Sequence, residues 1–352
     1  MKVLYIYSGE RKNKFQGEIG KDFPDTQFYG LNHLKKFGVE AEYKEFGDLV
    51  RSRLLQKIIG FRLKHFLMYI IARKYDVVFG ISLIYMLVWK KILRTKTKFV
   101  LFNSALNRML TVHTRGTMVF KMLAWILMEV DGIIFLAHSH LDKVVANMPF
   151  LKSRSFFVPM GVDAAYFKPV YEGRERYFLS VGRDNARDYR TIIEVARKMP
   201  NEEFRLVCLP RNMVGIVDIP SNVLVYTNIP LVELRDMYER ARALLLILHD
   251  DSYPEGSDSS GPTVLLEAMA IGLPVIVSRK DYLNDYVEDK KNALLVDFYN
   301  TGDIISSIAL LANDAYRRTI AFNARTKVDS KFNTKQMAGE IATIFNILYA
   351  ER

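Results

Sequence analysis

A single cysteine, Cys208, stands in a chain of 352 residues. That excludes a disulfide framework and a cysteine-rich zinc site. Its surroundings, R-L-V-C-L, are apolar, and a thiol there is inert because reactivity follows thiolate formation. Long apolar runs are missing too. In the most hydrophobic helical stretch, 117–128, Lys121 interrupts and the unbroken run is seven residues, against the roughly 20 that a membrane-spanning helix needs. Core packing is the expected role of that helix. The start, M-K-V-L-Y-I-Y-S-G, lacks the apolar core and cleavage site of a secretory leader and reads as a strand followed by a glycine. The expected compartment is reducing and cytoplasmic. No repeat recurs at a fixed short period. No helix-turn-helix or aromatic RNA-binding signature accompanies the basic residues, so nucleic acid is not the expected partner.

Half of the residues are hydrophobic and 12% are aromatic, enough for two cores in a chain of two-domain length. The net charge of +11 is lopsided. Residues 1–170 hold 27 Lys and Arg against 13 Asp and Glu, whereas the remainder holds 23 against 26. Residues 51–115 hold 14 basic residues and one acid, Asp76. Such a field attracts phosphate-bearing partners. Over 51–74, Arg51, Arg53, Lys57, Arg62, Lys64, Arg73 and Lys74 are interleaved with apolar residues at helical spacing. Two readings stand: a surface helix of the first domain, or a helix lying on an anionic membrane. On the second, residues 51–115 make an anionic membrane surface a partner.

Along the chain, K-V-L-Y-I-Y reads as a buried strand, 8–24 as a polar loop with Gly9, Gly17 and Gly20, 25–37 as a helix closed by Gly38, and V-E-A-E-Y-K-E-F as a second strand. That order opens a parallel α/β sheet. Strands at 76–80, 99–103 and 132–136 continue it, with helices at 83–93 and 117–128 and a short one ending near Met148. Residues 155–169, with a strand, a turn and two prolines, close the first unit. After Glu175 the pattern restarts with Y-F-L-S-V-G-R. Strands at 204–209, 223–226 and 244–248 and helices at 189–198, 231–240, 301–313, 316–328 and 334–350 complete a second unit and a last helix.

The most informative stretch runs from Glu255 to Ser278: E-G-S-D-S-S-G-P-T-V-L-L-E-A-M-A-I-G-L-P-V-I-V-S. Ser259, Ser260 or Gly261 suits an N-cap and Pro262 the first helical position. Val264, Leu265, Ala268 and Met269 form an apolar stripe, Gly272 stops the helix, and V-I-V-S is a buried strand. The start of such a helix binds anions through free N–H groups. Glu267 places a carboxylate about a turn further along. A ribose-diphosphate ligand needs that pair.

Four segments, in order, carry a family resemblance: V-P-M-G-V-D-A-A-Y-F-K-P, L-S-V-G-R-D-N-A-R-D-Y-R-T-I-I-E-V-A, N-V-L-V-Y-T-N-I-P-L-V-E-L-R-D-M-Y-E-R-A and E-A-M-A-I-G-L-P-V-I. Together they resemble the GT-B nucleotide-sugar glycosyltransferases, most closely the retaining family numbered 4, of the group 1 type. The resemblance implies an α/β fold of two Rossmann-like domains whose parallel sheets face across a cleft. Residues 1–165 would form the acceptor- and membrane-facing domain, 166–333 the nucleotide-sugar-binding domain, and 334–352 a helix packing back on the first. The implied reaction moves a sugar from a nucleotide-sugar donor to a lipid-linked or polysaccharide acceptor, with retention, at the cytoplasmic face of a membrane to which the enzyme is peripheral. Alternatives are another GT-B chemistry (a sugar-nucleotide epimerase or an inverting transferase) and a relative that binds the nucleotide sugar without turnover.

The resemblance also assigns residues. Arg183 and Arg187 would neutralise the leaving diphosphate, and two guanidinium groups on one loop are suited to that. Glu267 matches the second glutamate of the family's paired carboxylates and would grip the ribose hydroxyls. The first glutamate is replaced by Ser259, with Glu255 and Asp258 nearby as substitutes at the sugar end. Arg183, Arg187, Ser259 and Glu267 are thus the catalytic expectations. Gly9, Gly182, Asn228, Ser260, Gly261, Pro262, Thr263 and Val264 join them, with Glu255 and Asp258, as donor contacts. Asn103, Ser104 and His138 are weaker candidates for the acceptor or sugar end. The triplet His249-Asp250-Asp251 could suggest a metal, but in this family arginines take over that charge. No metal and no cofactor is expected, and these acids would line the sugar end of the cleft.

Overall fold

Strands of a parallel sheet are covered on both faces, so V-V-F-G, G-I-I-F and V-I-V-S run apolar without alternation. The computed structural model describes residues 1–9, 11, 19, 21–49, 61–170, 177–256 and 259–351. Gly17, Gly20, Asp258 and the first part of the expected basic helix, 51–60, lie outside the described residues.

Two six-stranded parallel sheets result. The first comprises β1 (Lys2–Tyr7), β2 (Glu40–Glu45), β3 (Val77–Gly80), β4 (Lys98–Phe102), β5 (Gly132–Phe135) and β6 (Ser155–Phe157), in the order β2-β1-β3-β4-β5-β6. Helices α1 (Phe61–Ala72), α2 (Ile84–Leu93), α3 (Leu106–Val112), α4 (Met118–Leu127) and α5 (His138–Asn147) connect them. Met68, Met86, Leu87, Leu123, Leu127 and Val144 pack with Leu4, Val78, Phe99 and Ile133 in one core. The second sheet comprises β7 (Tyr177–Val181), β8 (Glu203–Val207), β9 (Val223–Tyr226), β10 (Ala243–Leu246), β11 (Val275–Ser278) and β12 (Leu294–Val296), in the order β12-β11-β10-β7-β8-β9. Its helices are α6 (Tyr189–Lys198), α7 (Leu231–Arg240), α8 (Pro262–Ile271), α9 (Thr301–Leu310) and α10 (Asp314–Ser330). Cys208 lies in this core, and burial pushes its thiol up to about 11.

The chain divides into two units, Met1–Gly17 with Phe28–Pro159 and Lys335–Arg352, and Glu18–Gln27 with Met160–Thr334. The last helix, α11 (Thr334–Ala350), therefore lies almost wholly in the first unit. Phe345 sets its ring edge against Tyr5 and Phe79, with centroids 6.4 and 5.8 Å apart. In the second unit, the Asp25 N–H donates to the Asp163 carboxylate and the Asp163 N–H to the Thr26 hydroxyl, both at 3.0 Å.

Two expectations need correction. Residues 25–37 form not one helix but two short 3-10 turns, Asp25–Phe28 and Leu31–Phe37. Tyr29 and Gly30 between them are left-handed, and a Cβ on Gly30 would come within 2.9 Å of Ala338. The break is thus set by close approach of α11. The second correction concerns α4. Its Leu123 and Leu127 are core residues, but Met118, Met122, Trp125 and Met128 are exposed, so core packing accounts for one face only. No described helix is long and apolar enough to cross a membrane.

Candidate functional site

The order of the second sheet reverses between β7 and β10. The chain runs from β7 through β8 to β9 on one side, and from β10 through β11 to β12 on the other. In open α/β sheets, ligands settle beyond the carboxyl ends of the strands at such a reversal. Two loops leave that point, 182–188 after β7 and, after β10, one whose described residues are 247–256 and 259–261. They zip together antiparallel. The His249 N–H donates to the Ala186 carbonyl at 2.9 Å and the Asp188 N–H to the Ile247 carbonyl at 3.0 Å.

Arg187 is held inside this zipper and is 6% exposed. Its side chain lies across Gly182, where a Cβ would fall 2.0 Å from Nε. Nη1 reaches the start of α8, and a Cβ on Gly261 would stand 3.2 Å from it. Neither Nε nor Nη1 finds a hydrogen-bond partner among the described residues, and the buried Ser260 Oγ next to Gly261 also has none. A buried guanidinium with unmet donors is costly unless a ligand completes it.

Helix α8 begins at Gly261, whose φ of 112° is left-handed, and no side chain caps it. The Leu265 N–H donates to the Gly261 carbonyl at 2.9 Å, which leaves the Thr263 and Val264 N–H groups ahead of the helical ladder. Pro262 has no N–H to waste, as the sequence pattern anticipates. Buried Leu265, Ala268 and Met269 fix the helix against the core. Glu267 stands about 7 Å along the axis from Pro262, at ~1.5 Å per residue. It is half-buried, and the Tyr238 hydroxyl donates to Oε2 at 3.1 Å. Desolvation raises its carboxyl to about 7, with the Tyr238 bond pulling the other way. Tyr238 is a site residue that sequence reasoning missed. It lies in the Y-E-R-A end of the third motif, which was its only signal.

The other expected residues are placed unevenly. Arg183 is exposed, and its carbonyl accepts from Arg211 Nη2 at 2.9 Å. The Glu255 carboxylate accepts from Asn185 Nδ2 at 2.6 Å, and Gly256, at a φ of 104°, lets its backbone come against Asp184 and Ala186. Those contacts tie the two loops together. Ser259 is half-buried in the second loop. Asn228 is exposed in a left-handed conformation beyond β9. The His249-Asp250-Asp251 triplet is split among three partners. His249 stacks on Tyr253 at 3.9 Å and burial lowers its pKa. Asp250 accepts from the Ser252 N–H and hydroxyl, while Asp251 pairs with the buried Lys280.

In the first unit, Gly9 follows β1, and its carbonyl accepts from Arg11 Nη1 at 3.1 Å. Asn103 is buried and occupied. Its Oδ1 accepts from the Ala105 and Leu106 N–H groups at the start of α3, and its Nδ2 donates to Asn107. Ser104 beside it is half-buried. His138 is exposed at the start of α5, with its ring 3.8 Å from that of Phe157.

Comparison with known proteins agrees with this geometry. Residues 164–327 match the family of glycosyl transferases group 1. No curated protein sequence matches the chain. Among solved structures, the sucrose-phosphate synthase of Thermosynechococcus elongatus aligns over 100% of both chains with 18% identity and a TM-score of 0.73. A glycosyltransferase from Rickettsia africae aligns over 99% of this chain and 98% of its own, at 11% identity and 0.70. The Anabaena HepE protein, solved with UDP and glucose, aligns over 98% of this chain and 99% of its own, at 12% identity and 0.69. Residues 164–327 thus match the glycosyl transferases group 1 family, and the chain as a whole shares the two-sheet GT-B fold of these solved structures.

Proposed function

We propose that the chain transfers a sugar, with retention, from a nucleotide-sugar donor to a lipid-linked or polysaccharide acceptor at the cytoplasmic face of a membrane. The observation that carries the donor half is Arg187, a buried guanidinium whose Nε and Nη1 lack partners among the described residues, at the start of α8. On this reading the diphosphate fills that vacancy, and Glu267, a turn and a half along the same helix, accepts from the ribose hydroxyls. Exposed Arg183 closes on the outer phosphate. Ser260, Thr263 and Val264 supply neutral donors, and Gly261 leaves the phosphate room to approach. The sugar–oxygen bond to the diphosphate breaks as the acceptor oxygen attacks from the same face. The departing phosphate takes the acceptor proton, and the two arginines and the helix N-terminus offset its charge without a metal or cofactor.

UDP in complex with the Anabaena neighbour is consistent with a nucleoside diphosphate at this fold. The decisive experiment measures nucleoside diphosphate release from a panel of nucleotide sugars, with membrane extract as acceptor. Turnover is expected with at least one donor, and its loss in Glu267→Ala and Arg183→Ala. Undiminished turnover in the double variant would overturn the site. Ser259, where the family pattern has a carboxylate, supports a second reading: a protein that binds the nucleotide without turnover. Tight nucleotide binding with no product from any donor would select it. An epimerase or inverting transferase would be distinguished by product stereochemistry.

A further inference from the structure

We propose that the outer face of α4 is a docking surface for an anionic lipid bilayer. A surface helix ordinarily turns its polar side to water. Here the side opposite Leu123 and Leu127 carries Met118, Met122 and Trp125, with Met128 just beyond, at spacings of three and four residues. They are 80%, 55%, 46% and 56% exposed. Exposed apolar side chains grouped on one face mark a partner.

Charge selects which one. Lys121 lies exposed within the face, and exposed Arg108 and Arg115 precede it. Within 108–129 the one acid is Glu129, which is paired with Lys91 at 2.8 Å, and the same ammonium stands 4.8 Å from the Trp125 ring. The exposed apolar face thus belongs to a segment, 108–128, that carries three basic residues and no acid. Methionines and a tryptophan enter the acyl boundary while Lys and Arg stay at the headgroups. A second copy of the chain is disfavoured, because a twofold contact through this face would gather the Lys121 ammonium groups with no acid on the helix to pair them. Phosphate backbones of nucleic acid would gain nothing from three methionines. The assignment deepens the membrane-face part of the proposed function and rests on it for its purpose. Its structural support in the first unit is separate from the donor site.

The chain has two tryptophans, Trp89 and Trp125, so Trp89→Phe leaves Trp125 as a single reporter. The full-length protein is mixed with phosphatidylcholine vesicles, with or without phosphatidylglycerol. With the anionic vesicles the protein sediments, Trp125 emission moves to shorter wavelength, and brominated acyl chains quench it. Raising ionic strength to about 1 M, where the Debye length is ~3 Å, weakens the binding. Met122→Glu with Trp125→Glu lowers vesicle affinity at least about tenfold. That variant keeps nucleoside diphosphate release on a soluble acceptor, whereas Glu267→Ala keeps vesicle binding. No sedimentation with anionic vesicles overturns the proposal. So does equal binding to neutral ones, or a spectral shift that follows protein concentration without lipid, which would give the face to a second copy.

Discussion

Replacing Arg187 with methionine keeps most of the stem and removes the charge. Because Nε and Nη1 are buried without partners among the described residues, the free protein should lose little stability or gain ~1 kcal/mol, while nucleotide affinity falls about 100-fold through the lost charged hydrogen bonds. Paired thermal unfolding and calorimetric titration with a nucleoside diphosphate check this. A parallel loss of both would reduce Arg187 to a packing residue. Glu267 gives a pH signature. Its folded-state value, about 7, lies above the ordinary 4.5. Between those values the unfolded chain has released the proton and the folded chain still holds it, so stability of the free protein falls as pH rises through that window. Glu267→Gln should abolish this slope, leaving the variant more stable above pH 7 by on the order of 1–3 kcal/mol. Nucleotide binding, which uses the ionised carboxylate, should strengthen over the same rise. A stability difference that does not vary with pH would show that the carboxyl is not desolvated.

At the scale of elements, the loop after β7 depends on Gly182. A Cβ there would sit 2.0 Å from Arg187 Nε, in the middle of a buried stem with no room to swing. Gly182→Ala should cut kcat/KM ~100-fold by displacing the guanidinium, with the sheet intact by circular dichroism. Normal kinetics would mean the loop gives way freely. These loops were legible in the sequence because V-G-R and the S-G-P-T-V-L-L-E run carry their own local chemistry. The apolar strands were legible for the reason that parallel sheets bury both faces. What was not legible was set from far along the chain. The apparent helix at 25–37 breaks where Ala338 crowds Gly30, which no local pattern records. Leu294–Val296 spans only three residues, too few to show a period, and α3, at seven residues, makes only about two turns. Tyr238 reads as a core aromatic until its hydroxyl is seen on Glu267.

For the molecule as a whole, the first unit is closed by residues that follow the entire second unit. Phe345 fills the space beside Tyr5 and Phe79, so Phe345→Ala should cost ~3–5 kcal/mol, read as an earlier denaturant transition. Donor affinity measured below that transition should hold. An unchanged transition would mean that α11 adds little to the first core. This arrangement also bears on synthesis. The ribosome delivers β1 to β6 early, but Phe345 and Ala338 emerge only after Thr334, when the second unit is already complete. The first unit must therefore wait, with the Tyr5 and Phe79 side of its sheet uncovered, while nearly 200 further residues are translated. The half of the chain made first is the half finished last, and until then a holdase chaperone would find its apolar target there.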